Sequence, residues 1–254
     1  MSGSEALCAV NLRAYPLGES DKILVVFSRE RGILRLAARG ARKTGNKWAG
    51  RLEPLARNVL QVIRGRGSLE QLIGADTRVS GAGLLGDLDR LMVGLRFAEV
   101  VMALLPEAEP YPEVFAALET ALDLLVDRVS PAVVSLWFEL TILDLAGYRP
   151  EFGEHTLAQR LLAALQEAEP RLLHGVEAPA EIALEASEIL ANTISRHAET
   201  EIHAADLMKR LSAPLGAQKE SLNGVEALGA PGAPVSSAAA ASLDPPPGAD
   251  EETL

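Results

Sequence analysis

Eight basic side chains are concentrated in residues 28–51, which read SRERGILRLAARGARKTGNKWAGR, and only Glu30 among them is acidic. Guanidinium and ammonium groups gathered in this way can neutralise phosphates, and an arginine can contact one phosphate through two N–H groups. The stretch therefore predicts a binding site for a polyanion. Its basic members are Arg29, Arg31, Arg35, Arg39, Arg42, Lys43, Lys47 and Arg51.

Trp48 lies inside this stretch, and its type leaves two interpretations open. An indole ring can stack on an unpaired base, as aromatic side chains do in proteins that bind single-stranded nucleic acid. The ring can equally anchor its loop by packing against the rest of the protein. Gly40, Gly45 and Gly50 keep the loop pliable and let backbone N–H groups approach an anion. We count Trp48 among the candidate DNA-binding residues.

Charge is strongly segregated along the chain. The whole sequence has a formal net charge of -11, yet residues 1–80 hold 14 basic and 7 acidic side chains, a net charge of +7. The remainder holds 10 basic and 28 acidic side chains, a net charge of −18. Such asymmetry indicates an amino-terminal module for a polyanion and a second part with a different use.

No motif in the sequence predicts catalysis. A nucleophile elbow, a Walker glycine loop, an H-E-x-x-H pair and paired cysteines are all missing. Glu139 and Asp144 are five residues apart, off a common helical face, and are interpreted as surface or interface charges. Cys8, the single cysteine, is interpreted as a small buried hydrophobe in a strand. We predict a protein that is not an enzyme and that uses no cofactor.

The first 80 residues divide into five strand-sized apolar segments separated by turn residues, with a long loop after the third. This spacing is typical of a small antiparallel barrel, of which the oligonucleotide-binding (OB) barrel is one option. The segments are LCAVNLR, KILVVFS, ILRLAA, ARNVLQVI and LEQLIGADT. GRGSLEQ, at the start of the fifth segment, is interpreted as a hairpin turn. The loop between the third and fourth segments is residues 39–51, here called the basic loop. The hairpin SRERG, residues 28–32, together with Arg35 of the following segment, is here called the basic hairpin. We expect the two at neighbouring positions on the barrel.

Beyond residue 84 the apolar period changes to that of helices. Pro112 and Pro131 stand where first-turn prolines belong, Ser130 precedes the second as an N-cap, and Gly147 marks a helix end. The predicted fold class is α+β, with a barrel domain over 1–80 and a helical bundle over 84–213. Residues 214–254, rich in Ala, Gly, Pro and Ser, are predicted to be disordered.

The amino terminus carries no basic segment followed by a long apolar one, and the most apolar stretch is interrupted by Arg96 and Glu99. We therefore expect a cytoplasmic, nucleoid-associated protein that does not contact membranes.

The sequence resembles the RecO family of bacterial recombination mediators. The resemblance is carried by RAYPLGESDKILVVFSRERGILRLAARGARKTGNKWAGRLEPL, by LWFELTILDLAGYRP and, more weakly, by ISRHAETEIHAADLMKRL, and it covers roughly residues 5–213. It implies an amino-terminal OB barrel followed by a helical domain. It also implies binding of single- and double-stranded DNA through the barrel and annealing of complementary strands.

The resemblance further implies work in DNA repair and recombination with protein partners. These are RecR, the acidic tail of single-strand-binding protein (SSB) and, indirectly, the recombinase RecA, which the family helps to load onto SSB-coated DNA. The candidate residues for the SSB tail combine apolar and cationic groups on a short predicted helix: Leu207, Met208, Lys209 and Arg210. Lys209 and Arg210 can equally complement the carboxyl end of that helix. Arg90 and Arg96 are the next candidates.

Two other classes remain open on the sequence alone: an RNA-binding barrel protein, and a helical scaffold whose basic loop meets an acidic protein.

The family's zinc module is not expected here. Many members carry four zinc-binding cysteines after a G-Y-x-P turn, but Tyr148, Arg149 and Pro150 are followed by no cysteine. His155 and His174 lie in the replacing segment without the partners that a four-ligand zinc site needs. They are interpreted as a residue at a helix start and a residue of a surface loop. No metal is predicted.

Overall fold

Five strands form the amino-terminal part of the protein in a computed structural model that describes residues 3–48, 50–63 and 69–198. All five segments expected as strands are strands. Their bounds are β1 Glu5–Leu17, β2 Asp21–Ser28, β3 Gly32–Ala38, β4 Arg57–Ile63 and β5 Glu70–Val79. They close into a barrel in the order β1-β2-β3-β5-β4, with β1 also paired to β4. Among the strands of the described residues only β3 and β5 pair in parallel, over a short register that joins Leu36 to Glu70. The predicted OB-type barrel is confirmed.

Strand β1 is longer than the sequence suggests, because it continues through Pro16 to Leu17 instead of turning there. Residues up to Val10 pair with β4, whereas the rest of β1 pairs with β2 alone. A free strand edge at this end lets a proline replace a backbone donor without breaking a ladder hydrogen bond.

Strands β1, β2 and β3 bury both of their faces, in two different cores. One face fills the barrel interior with small and branched apolar side chains, among them Leu7, Leu24, Val26, Leu36, Leu60 and Leu72. The opposite face of β1, β2 and β3 belongs to a larger core shared with the helices, through Val10, Leu12, Val25, Phe27 and Ile33. Phe27 lies with its ring centroid 5.8 Å from that of Phe115. The outer barrel face is therefore covered by helices in this region.

The helices follow at once, since β5 ends at Val79 and the first helix begins at Ala82. Their bounds are α1 Ala82–Leu85, α2 Leu88–Leu104, α3 Pro112–Val126, α4 Pro131–Leu145, α5 Leu157–Gln166 and α6 Ala180–His197, with a short 3₁₀ helix at Pro170–Leu173. Pro112 and Pro131 occupy first-turn positions as predicted, and Gly147, with φ of 83°, follows the end of α4. Ser130 is the N-cap residue of α4, but its side chain makes no capping hydrogen bond.

Helix α4 corrects the interpretation of Glu139 as a surface charge. Glu139 is only 3% exposed, and its carboxylate accepts hydrogen bonds from Arg96 of α2 at 3.0 and 3.2 Å and from Ser135 at 3.2 Å. Burial of a carboxylate requires such compensation, because removing an ion from water is costly. Asp144, the other residue of that pair, is exposed and forms an ion pair with Arg149.

Barrel and helices are also joined by polar contacts beside the basic hairpin. The N–H of Ala108 donates to the carbonyl of Ile33 at 2.9 Å. Gly32 has φ of 69°, and a Cβ atom there would lie 1.8 Å from the carbonyl oxygen of Glu109. Only glycine can occupy this position, because both the conformation and the close approach exclude a side chain.

Candidate nucleic-acid interface

The basic loop lies across one end of the barrel and is packed onto its interior. Ala41, Trp48 and Leu52 join the same buried cluster as the inward-facing strand residues. Trp48 is 3% exposed, and its indole N–H donates to the carbonyl of Arg39 at 2.8 Å. The structure therefore favours the anchoring interpretation of Trp48. In this structure the buried ring offers no face on which a base could stack, and the assignment of Trp48 to DNA binding stays a prediction.

Short hydrogen bonds fix the first half of the basic loop. The N–H of Gly40 donates to Oδ1 of Asp21 at 2.8 Å, and the N–H of Arg42 donates to the carbonyl of Ser20 at 2.9 Å. Asn46 accepts from the N–H of Trp48 at 2.8 Å. The bond from Gly40, the Ser20 hydroxyl and the nearby positive charges together lower the pKa of Asp21 below its usual range. Asp21 therefore stays ionised, and its carboxylate anchors the loop by accepting the hydrogen bond from the N–H of Gly40.

Two buried asparagines fix the second half of the loop. Nδ2 of Asn11 donates to the carbonyls of Arg51 and Glu53, at 2.8 and 3.0 Å. Nδ2 of Asn58 donates to the Arg51 carbonyl at 3.0 Å and to Oδ1 of Asn11 at 3.1 Å, and Thr77 donates to Oδ1 of Asn58. Sequence reasoning missed these residues, although a polar Asn11 between the apolar Val10 and Leu12 is a signal that could have been read.

This frame leaves five cations exposed on the loop: Arg39, Arg42, Lys43, Lys47 and Arg51. Where these side chains find polar partners within the described ranges, the partners are neutral carbonyl oxygens. Arg42 donates to Gly18 at 2.7 Å and Lys47 donates to Ile73 at 3.0 Å. No carboxylate of the described part lies within 4.0 Å of their charged groups. The positive charge of the loop is therefore not cancelled locally.

The basic hairpin does not lie beside the basic loop, which corrects the expected arrangement. The turn at residues 29–31 precedes β3 and the loop follows it, so the seven residues of β3 separate them by roughly 20 Å. Arg29 and Arg31 thereby lie at the other end of β3 from the loop, and Arg35 lies in the middle of that strand.

The cations of the basic hairpin are also occupied. Arg31 forms a two-bond ion pair with Glu70, at 2.7 and 2.9 Å, and reaches Glu5 at 3.2 Å. Arg35 donates twice to one carboxylate oxygen of Glu107, and hydrogen bonding to these acids raises the pKa of both arginines. The guanidinium carbon of Arg29 lies 5.6 Å from the ring centroid of Phe115. These contacts hold Arg31 and Arg35 to acidic neighbours, and the assignment of the three arginines to DNA binding stays a prediction.

The candidate partner residues on the last predicted helix, Leu207 to Arg210, lie outside the described residues, as does the tail at 214–254. The connection between β4 and β5 that the sequence predicts as a hairpin turn, residues 64–68, also lies outside them.

The two alternative cations are not available for a partner. Arg96 is 2% exposed and held by Glu139, and Arg90 donates to the carbonyls of Leu125 and Val129 near the end of α3.

The residues present do not fit the zinc module of related proteins. The single cysteine, Cys8, lies half-buried in β1, where burial raises the pKa of its thiol. His155 directly precedes the capping residue Thr156 of α5, and His174 follows the 3₁₀ helix. Across the described ranges no three His, Cys, Asp or Glu side chains come together as a metal-binding group. Within the same residues no helix is long and apolar enough to span a membrane.

This protein is therefore an OB-barrel protein. Its barrel carries a cationic loop at one end and is joined to a helical part. Comparison with known families agrees: residues 1–79 match the profile described as "Recombination protein O N terminal", and residues 85–157 match "Recombination protein O C terminal". The chain belongs to the RecO family.

Curated relatives support this assignment. The protein named DNA repair protein RecO of Gloeobacter violaceus is 35% identical over 157 residues, which cover 61% of this chain and 60% of that protein. Proteins of the same name from Myxococcus xanthus and Synechococcus elongatus are 35% and 33% identical over 149 and 174 residues, covering 59% and 68% of this chain. The matches cover 61% and 63% of those two proteins, so the chain spans about three fifths of their length.

Proposed function

We propose that this protein acts in DNA repair and homologous recombination by binding single-stranded DNA, and double-stranded DNA as well, through the basic loop. The observation that carries the proposal is the set of five exposed cations, without carboxylate partners in the described part of the chain, held on a hydrogen-bonded frame. A strand whose phosphates follow such a surface releases condensed counterions, which provides most of the sequence-independent binding free energy.

The proposed mechanism involves no covalent chemistry. Two complementary strands repel each other through their phosphates, and neutralisation of one strand along the loop lowers that repulsion and permits annealing. We infer from the family that the protein helps to load RecA onto SSB-coated DNA together with RecR. The acidic SSB tail would be bound in the helical part by the segment from Leu207 to Arg210.

The test is a salt series of fluorescence-anisotropy titrations with labelled oligo-dT. In the variant Arg39→Ala/Arg42→Ala/Lys43→Ala three phosphate contacts are lost, so the slope of log K against log salt should become shallower by about two. Its thermal midpoint should hardly change, because exposed charges contribute little stability. An unchanged slope in the folded variant would remove the loop from the site.

A matched control removes the same formal charge elsewhere. Arg149, Arg171 and Arg196 are exposed residues of the helical part, outside the basic loop and the basic hairpin. Their triple alanine variant should keep the salt slope of the parent protein. Competition of labelled DNA with RNA and with an acidic peptide separates the alternatives: displacement by RNA at equal affinity favours the RNA-binding class, and displacement by the peptide alone favours the scaffold.

A further inference from the structure

A cleft of about 400 Å³ opens between the end of the barrel and helix α2, directly beside the basic loop. Both legs of the loop border it. On one side lies Lys22, whose Cα is paired with that of Ala38, the residue before the loop. On the other side lie Leu52, Glu53 and Pro54, which follow Arg51. The cleft is therefore continuous with the surface proposed to carry phosphates.

The floor of the cleft is apolar and its rim is charged. Leu12 of β1 and Leu95 and Met102 of α2 supply the floor. Arg13 and Lys22 bring positive charge to the rim. Arg13 is partly exposed: its ion pair with Glu99 is 3.5 Å long, and it also donates to the Tyr15 hydroxyl at 3.2 Å.

This combination matches the two chemical faces of an unpaired nucleotide. Its base has flat apolar surfaces, and its phosphate is an anion that the rim cations attract. Proteins that bind single strands usually offer an aromatic ring for the base. The basic loop offers none, because its one aromatic side chain, Trp48, is buried in the barrel end. The polarisable thioether of Met102 is a suitable substitute surface for a π system.

The acidic residues of the cleft indicate which base it accepts. Glu53 and Glu99 line the wall and can only accept hydrogen bonds when ionised. Carboxylates accept from the exocyclic amino group of cytosine. Thymine lacks an amino group and cannot make this contact.

We propose that this cleft binds a nucleobase of the single strand whose phosphates follow the basic loop, with preference for bases that carry an amino group. The proposal rests on the proposed function, since the loop delivers the strand to the cleft. It adds a site that contacts bases to a surface, the basic loop, that otherwise contacts only phosphates.

The experiment compares two labelled strands of equal length and charge, oligo-dC and its abasic counterpart, on the full chain. Bases that pack on protein surfaces strengthen single-strand binding severalfold each, so oligo-dC should bind about fivefold or more tightly than the abasic strand. In Met102→Glu, which places a charge on the cleft floor, this ratio should fall to about one. Oligo-dT should bind more weakly than oligo-dC to the parent protein.

Leu88→Glu is the matched control, because it makes the same charge change on the same helix at a side chain that is 60% exposed and does not line the cleft. Its ratio should equal that of the parent. Comparing ratios removes any general repulsion of phosphates by the new carboxylate.

Photocrosslinking of a strand carrying 5-iododeoxycytidine to the unmodified protein gives a second readout that does not depend on folding of a variant. Adducts on peptides containing Leu95 or Met102 support the cleft. Adducts confined to the basic loop, or equal affinity for the two strands in the parent protein, would overturn it while leaving the loop as the DNA site. Failure of the proposed function would look different, because the triple loop variant would then bind both strands as the parent does.

Discussion

The basic loop and the basic hairpin are adjacent in sequence and rich in the same residue type, yet their charges are used differently. Five cations of the loop are exposed, and their hydrogen bonds in the described ranges go to neutral carbonyl oxygens, while Nζ of Lys47 also lies 4.3 Å from the ring centroid of Trp48. In the hairpin, Arg31 and Arg35 face carboxylates, and Arg29 lies over an aromatic ring. The formal charge of a sequence segment therefore does not predict the electrostatic field at the protein surface that the segment forms. The acids that cancel the hairpin charge, Glu70 and Glu107, come from other elements of the fold.

The largest expected effect is a loss of unfolding free energy from a change in the basic loop and not in the basic hairpin. Trp48→Ala removes the buried anchor of the loop, and loss of a buried aromatic side chain costs about 3–5 kcal/mol of unfolding free energy. Chemical denaturation measures this loss. Hydrogen exchange should show faster exchange at Gly40, Arg42 and Arg51, whose N–H groups are bonded within or beside the loop.

Trp48→Phe is the control for that prediction. It retains most of the buried ring but loses the indole N–H bond to the Arg39 carbonyl, so the expected cost is only about 1–2 kcal/mol. If Trp48→Ala were as stable as the parent, the barrel end would not depend on the loop.

A smaller effect is expected from the polar support of the second half of the loop. Asn11→Ala removes the side-chain donor to the Glu53 carbonyl and one of the two side-chain donors to the Arg51 carbonyl, in a partly buried site, which costs about 1–3 kcal/mol. Thermal denaturation of Asn11→Ala beside Asn192→Ala tests it. Asn192 is exposed on α6, and its replacement should change stability by less than about 0.5 kcal/mol. Equal midpoints for the two variants would contradict the role of Asn11.

Removal of the acids beside the hairpin tests whether its arginines can contact DNA. Glu70→Gln/Glu107→Gln removes the charge partners of Arg31 and Arg35, and each pair is worth at most about 1 kcal/mol at this exposure. Affinity for single-stranded DNA should rise a few-fold, and each additional phosphate contact should steepen the salt slope by about 0.7. The charge-matched control is Glu181→Gln/Glu188→Gln on α6, which should change the slope less. No difference between the two pairs of substitutions would mean that the strand never reaches the hairpin.

The smallest effect concerns pH. Asp21 has a lowered pKa in the folded protein, so its contribution to holding Gly40 is fully present above the ordinary carboxyl pKa of about 3.9. It is lost only as pH falls through the lowered pKa. The amide resonance of Gly40, followed by NMR, should therefore titrate with a midpoint below that ordinary value, and Asp21→Asn should abolish the transition. A midpoint above it would show that the carboxylate is not held by the loop.

Much of the fold could be predicted from local patterns. Five apolar segments separated by turn residues gave five strands, and Pro112, Pro131 and Gly147 correctly marked helix ends, because these signals act over one or two turns of chain. Pairings between distant residues were not accessible in the same way. Glu139 is buried because Arg96, 43 positions earlier in the chain, supplies two hydrogen bonds. Nothing near Glu139 in the sequence shows that partner.

The candidate site also has features that local sequence patterns predict and features that depend on contacts between distant residues. The exposed cations of the basic loop were visible as a run of charge with one acid nearby. The burial of Trp48 depends on barrel closure, which joins β1 to β4 and leaves an open end for the loop to fill. The cleft beside α2 depends on where a helix that begins at Leu88 crosses a strand that ends at Leu17. Both are consequences of tertiary packing, which a single sequence does not display.

The outer face of the barrel packs against the helices in one shared core, so the barrel is not an independent module. Val10, Leu12, Val25, Phe27 and Ile33 are all at most 3% exposed, and they are covered by the helices. A fragment cut at residue 80 would expose this contiguous apolar surface to water and would be prone to self-association. The barrel could not be grafted onto another protein, or exchanged between relatives in the course of evolution, unless the helical face that covers it were transferred too.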